Sequence, residues 1–250
     1  MAAIFQAIFY RPIFNLLIGL VNVIPGHDIG LAIIVLTILI KAVLWPLSAR
    51  ALKQQRELQS LQPKVDEIKK QYAGNKDEMG KRLMELYSKE KVNPLSSCLP
   101  LLIQLPVFIA LYSALSHGLK SSGFDLLYPF VSDPGTLDPK LFGLVPLADP
   151  NYVLAILSGI TQFFQARMMV TKQQPKKVPG AQDEQMMVAM NKQMMYTMPV
   201  LTTFIAWKLP GGLTLYWFVM NLLTIAQQYL TMRPVKVVAS DAVAVAAPKQ

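Results

Sequence analysis

The feature that most constrains this chain is a run of apolar residues at 29–48, IGLAIIVLTILIKAVLWPLS, broken by a single charge, Lys41. A bilayer needs about 20 such residues to be crossed by one helix. Further runs of similar character follow at 97–116, 152–170 and 213–230, with a shorter one at 193–208. Only Arg167, near one end of its run, adds a charge to the three long ones. Each run must be helical, because an isolated strand leaves its backbone polar groups unpaired in lipid. Composition agrees: 53% hydrophobic and 16% charged residues, with mean hydropathy +0.36, exclude an ordinary soluble domain and a disordered chain. The net charge of +9 would suit a nucleic-acid binder, but only basic loops of a membrane protein account for charge and apolarity together. One cysteine, Cys98, and two histidines, His27 and His117, provide neither a disulfide nor a metal-site constellation, so no cofactor or metal is expected.

Charge sets the orientation. The segment 49–95 holds eleven Lys and Arg residues, and 167–192 holds five more. The intervening segment 117–151 has only Lys120 and Lys140, against four aspartates. Positive charge alternates from loop to loop, as five spans require, with the N-terminus outside and the C-terminus in the cytoplasm. Nineteen of the 24 basic residues fall on the cytoplasmic side in this scheme. The chain therefore predicts an all-α polytopic membrane protein with a five-helix transmembrane core, residues 27–232.

Three other segments complete the plan. Residues 1–26 read as an amphipathic helix in the outer interface, with Arg11 and Asn15 turned to water and Phe5, Phe9, Ile13 and Leu17 to acyl chains. The segment 49–92 reads as a cytoplasmic helical hairpin. Its first arm, 49–72, bends at Pro63; Gly74-Asn75 makes the turn; the second arm, 77–90, carries Met79, Leu83, Leu86 and Tyr87 on one stripe, with Asp77 as its N-cap. The proline-rich loop 117–151 is irregular, and the tail 233–250 is disordered.

Lys41 stands out within the apolar fraction. Arg50 lies nine residues later, roughly 13 Å along a helix, so Lys41 sits inside the hydrocarbon nearer the cytoplasm. A charge there costs at least about 2.5–3.5 kcal/mol and usually marks function, although a lysine stem can also snorkel. Thr37, Gln104, Thr161, Gln162, Gln165, Thr214, Asn221, Thr224, Gln227 and Gln228 are its polar companions in the spans, and no acidic residue accompanies them. Each amide taken singly reads as an interhelical hydrogen bond; the set with Lys41 reads as a hydrated, positive, unneutralised groove. A short fourth helix would thin the bilayer locally, unless it starts further back in the methionine-rich stretch 186–198.

Three separated motifs resemble the YidC-type membrane protein insertases: KVNPLSSCLPLLIQLPVFIALYSAL from Lys91 to Leu115, LTILIKAVLWPL around Lys41 leading to LQPK at 61–64, and PGGLTLYWFVMNLLTIAQQ at 210–228. The likeness runs in order over about residues 5–232. It implies a bacterial plasma-membrane insertase of five core helices. Its hydrophilic groove would open to cytoplasm and lipid and close to the outside. It also implies a non-enzymatic activity that uses no nucleotide, nascent membrane proteins as substrates, and the Sec translocon, the ribosome or signal recognition machinery, and membrane lipids as partners of a monomer. Two departures stand out. The family usually carries arginine in the groove; Lys41 keeps the charge but gives up the planar fork and near-permanent ionisation, which makes the groove charge more sensitive to pH. The chain also lacks the extra first span, large periplasmic domain and long basic tail of many relatives, and a lipoprotein cysteine near its start. That leaves the hairpin, with Lys64, Lys69, Lys70, Lys81 and Arg82, as the docking surface.

The expected mechanism follows. Lys41 attracts a polar or acidic segment into the groove, the polar lining replaces part of its water, and the apolar segment slides along Phe163, Tyr216 and Trp217 into lipid. The competing reading, a small polytopic transporter or channel, would call for intramembrane carboxylates, paired repeats or a pore open to both sides.

Overall fold

The computed structural model describes residues 2–72, 74–93, 99–118, 124–169 and 193–231. The tail and residues 186–192 of the methionine-rich stretch lie outside these residues. The described chain is mostly helical. A short helix α1 (Ala2–Phe5), a π-helical turn (Gln6–Tyr10) and α2 (Arg11–Val23) run on as one rod. Next come α3 (Ile29–Ser60), α4 (Gln62–Gln71), α5 (Lys76–Lys89), α6 (Leu99–Gly118) and α7 (Tyr152–Met169). A second π-helical turn (Gln193–Thr197) leads into α8 (Met198–Ala206), and α9 (Gly211–Thr231) closes the described chain.

Local chemistry explains the helix starts. Asp28 caps α3, its Oδ1 accepting from the Leu31 N–H at 2.8 Å. Asn151 does the same for α7 through Leu154 N. At α9 no side chain serves: the N–H groups of Gly211 and Gly212 reach the carbonyls of Asp149 and Leu147, both at 2.9 Å. That approach requires glycine, since a Cβ on Gly211 would lie 2.9 Å from the Pro146 carbonyl.

Several details differ from the sequence expectation. The first apolar run does not end the helix at residue 48: α3 continues through Pro46 to Ser60, so the run and residues 49–60 form one helix of about 48 Å. The break comes at Leu61, and Pro63 sits in the first turn of α4, where its missing N–H costs nothing. Asn75, not Asp77, caps α5, with Oδ1 accepting from Glu78 N. The loop 117–151 is not wholly irregular. It contains a two-stranded antiparallel ribbon, β1 (Lys140–Leu141) and β2 (Val145–Pro146), with Leu141 opposite Val145. Phe142 and Gly143, both at positive φ, make its turn.

The N-terminal rod also differs in its facing. Asn15 is buried, not turned to water: its amide donates to the Arg11 and Leu126 carbonyls, and its Oδ1 accepts from Tyr128 N. Arg11 Nε donates to the Leu126 carbonyl while its guanidinium lies 4.8 Å over the Tyr128 ring. Leu17 belongs to the protein core rather than to the lipid side. The polar pair is thus spent on the chain's own loop. Ile4, Ile8, Leu16 and Val23 form the exposed apolar face.

Packing is uneven along the bundle. α9 packs against α7 and α3, α8 against α7, and α2 against α3 and α6. One core gathers Phe14, Ile18 and Val21 of α2, Ile29, Ile33 and Leu36 of α3, Leu111 and Leu115 of α6, and Leu213 and Tyr216 of α9. Leu137, Leu141 and Leu147 of the loop close the same end. Toward the other end burial fades: on α3, Lys41 is the last buried residue before Ala51. The bundle is therefore dense and lidded where α3 begins; beyond Lys41 α3 loses burial, while Gln227 and Gln228 of α9 stay buried.

Candidate functional site

The site lies where the buried stretch of α3 ends. Lys41 is 8% exposed, and its Nζ donates to Thr224 Oγ1 of α9 at 3.0 Å. Among the described residues Lys41 makes no ion pair. Thr224 in turn donates its hydroxyl to the Met220 carbonyl one turn back, at 2.8 Å. One turn further along α9, the Gln227 amide donates to Ser48 Oγ at 2.9 Å and approaches the Trp45 carbonyl. Lys41–Thr224 and Gln227–Ser48 form a polar seam between α3 and α9, with the ammonium at its deeper end.

A second polar seam joins α7 to α9. The Asn221 amide donates to the Ser158 carbonyl at 3.1 Å and to Thr161 Oγ1 at 3.3 Å. Ser158 donates its hydroxyl to the Thr214 carbonyl. A third contact joins α6 to α9, where the Gln104 amide donates to the Tyr216 hydroxyl.

The predicted groove residues thus divide. Lys41 faces the seam. Asn221 and Gln227 are helix-to-helix hydrogen bonders, and Thr37 is fully buried with its hydroxyl on the Ile33 carbonyl of its own helix. Gln165 is half-buried, and Gln162 keeps a buried Oε1 without a hydrogen-bond partner among the described residues. The sliding wall divides too. Trp217 is half-buried edge-on to Phe108, and Phe163 lies near Phe164 and Tyr196. Tyr216 does not belong with them: at 1% exposure it is a core ring whose hydroxyl is taken by Gln104. Sequence reasoning placed Thr224 among the polar companions of Lys41 without singling it out, and missed Ser48 and Ser158 as partners. Helical spacing carried a signal for Thr224, which shares a face with Met220 and Gln227.

The hairpin's basic residues are partly engaged within it. Lys64 pairs with Glu90 at 2.6 Å, which ties α4 to the end of α5. Arg82 pairs with Glu78 and Glu85 and lies 5.8 Å over the Tyr72 ring. Such exposed pairs contribute little to stability. Lys69 is half-buried, and Lys70 and Lys81 are exposed.

Among the described residues two helices, Ala3–Val23 and Ile29–Ser60, are long and apolar enough to cross a membrane. Comparison with known proteins adds the following. Residues 20–238 match the family described as 60Kd inner membrane protein. A Membrane protein insertase YidC of Geotalea daltonii is 39% identical over 81% of this chain and 33% of its own length. Its counterpart in Fusobacterium nucleatum is 36% identical over 82% of this chain and 87% of its own. The chain thus spans about a third of the Geotalea relative and most of the Fusobacterium one. Among solved structures, an active YidC insertase with its first transmembrane domain resolved superposes with a TM-score of 0.59 at 22% identity, covering 90% of this chain and 46% of that one. That likeness speaks for the fold.

Proposed function

The chain belongs to the YidC family of inner-membrane proteins, and from that premise we propose that it inserts nascent membrane proteins through a positive polar groove centred on Lys41. The observation that carries the reading is the setting of Lys41. A lysine is buried in an apolar helix, its described hydrogen-bond partner is a neutral hydroxyl, and beyond it the helix that carries it loses burial. A buried charge without a counter-ion is costly unless water or a charged ligand reaches it. Acidic or polar segments of a substrate supply that ligand.

In this reading α3 as far as Ser48, α6, α7, α8 and α9 are the five spans, and α4 and α5 with the end of α3 are the cytoplasmic hairpin. The fourth span is α8 together with the π-helical turn that leads into it. The loop 124–149 caps the outer end. The N-terminal rod lies along that end: from Arg11 to Asn22 its polar side chains all reach loop residues, Leu126, Tyr128 and Ser132. A helix crossing the membrane would carry Arg11 about 16 Å away from Asn22 in depth. Its exposed apolar face then meets acyl chains. Trp217 and Phe163 guide the apolar segment of the substrate outward to lipid. Sec, the ribosome and signal recognition machinery are partners by family likeness, with Lys70 and Lys81 on the surface they would meet.

The test is insertion of a substrate with an acidic extracytoplasmic tail into proteoliposomes carrying the full chain. Lys41→Ala should slow it about tenfold or more, and Lys41→Arg should retain most of the rate. Wild-type insertion by Lys41→Ala would sink the groove reading. A cysteine at position 41 should react with polar reagents from the cytoplasmic side alone; reaction from both sides would favour a channel.

A further inference from the structure

Resting on the insertase reading, we propose that Thr224 is a positioning residue that fixes where in the membrane the Lys41 charge acts. A lysine stem is flexible and ordinarily carries its ammonium toward water. The cytoplasmic end of this seam offers alternatives about a turn or two away, at Ser48 and Gln227. The ammonium instead lies on Thr224, at the edge of the dense half of the bundle.

Thr224 is built to hold it there. Its hydroxyl proton is committed to the Met220 carbonyl, so the oxygen presents lone pairs to Lys41. Its β-branched side chain has few rotamers in a helix, so the acceptor does not swing with its load. A lysine ammonium has three donors, and Thr224 takes one. The other two serve water or an arriving carboxylate. A neutral acceptor suits this role better than an aspartate would: it orients the charge without cancelling it, so the field seen by the substrate is kept. Ser48 and Gln227, already bonded to each other, close off the competing position.

Four variants test this in the acidic-tail insertion assay, alongside a substrate with a neutral tail. Thr224→Val removes the oxygen while keeping shape, and should slow acidic-tail insertion about tenfold, the loss expected for one hydrogen bond to a charged group. The neutral-tail substrate should be unaffected. Thr224→Ser should restore the rate. Lys41→Ala combined with Thr224→Val should be no slower than Lys41→Ala alone. Equal slowing of both substrates by Thr224→Val would mean a merely structural role and overturn the proposal. So would wild-type behaviour of Thr224→Val where Lys41→Ala is defective, which leaves the groove reading standing. If Lys41→Ala is itself unimpaired, both fall.

Discussion

Gly159 is the tightest meeting point of α7 and α8, and replacing it tests the packing described above. A Cβ added there would lie 1.8 Å from Thr203 Oγ1 and 3.2 Å from both Thr203 Cβ and the Pro199 carbonyl. Ordinary carbon contacts are nearly twice the first distance. Thr203 Oγ1 is not idle: it donates to the Pro199 carbonyl at 2.9 Å. Gly159→Ala can therefore be accommodated in two ways. Thr203 can leave its rotamer and forfeit that hydrogen bond, at about 0.5–1.5 kcal/mol, with the methyl still tight against the carbonyl. Alternatively α8 can move off α7, at about 1–3 kcal/mol for an overpacked contact. The expected loss is about 1–3 kcal/mol. Titration of the protein from mild detergent into dodecyl sulfate, followed by far-ultraviolet circular dichroism, measures it. Thr203→Ala removes the obstructing oxygen, so the double variant Gly159→Ala, Thr203→Ala should cost about 1 kcal/mol or less, well below the sum of the single costs. A Gly159→Ala protein as stable as wild type, or a double variant whose cost equals the sum, would refute the close approach.

Two further perturbations probe the ends of the molecule. Asp28→Ala removes both the cap of α3 and the acceptor for the Phe142 N–H of the outer ribbon, so it should cost about 1–2 kcal/mol and speed hydrogen exchange at Leu31 and Phe142 together; exchange rising at Leu31 alone would dissociate the two roles. Asn75→Ala should raise exchange in the first turn of α5 and lower hairpin stability by about 1 kcal/mol, whereas Asp77→Ala should not disturb the cap; the reverse order would restore Asp77 as the cap.

What was legible in the sequence was whatever depends on neighbours along the chain. The described helices α6, α7 and α9 lie on the apolar runs read at 97–116, 152–170 and 213–230. The hairpin arms carried turn signals at Gly74-Asn75. Misplaced features turned on competition between adjacent candidates. Asn75 and Asp77 are both good caps by type, and only the backbone at Asn75, extended at φ −135°, ψ 94°, chooses between them. Pro46 and Pro63 both look like breaks, yet α3 absorbs the first and α4 starts with the second.

By itself, then, the sequence determined the solvent of this protein, its helices, their alternating charge and the oddity of Lys41, because hydrophobic length and charge are properties of segments. Only the tertiary structure decided what each polar side chain meets. Tyr216 and Trp217 are neighbours in sequence and similar in chemistry, but one turns into the core onto Gln104 and the other stays half-buried beside Phe108. Asn15 could have faced water, and the loop at 126–128 claimed it. Lys41 could have snorkelled, and Thr224, 183 residues away, held it. A hydrogen bond needs a partner within about 3 Å. Which residue of a distant helix comes that close is fixed by how the helices pack, and no local pattern contains it.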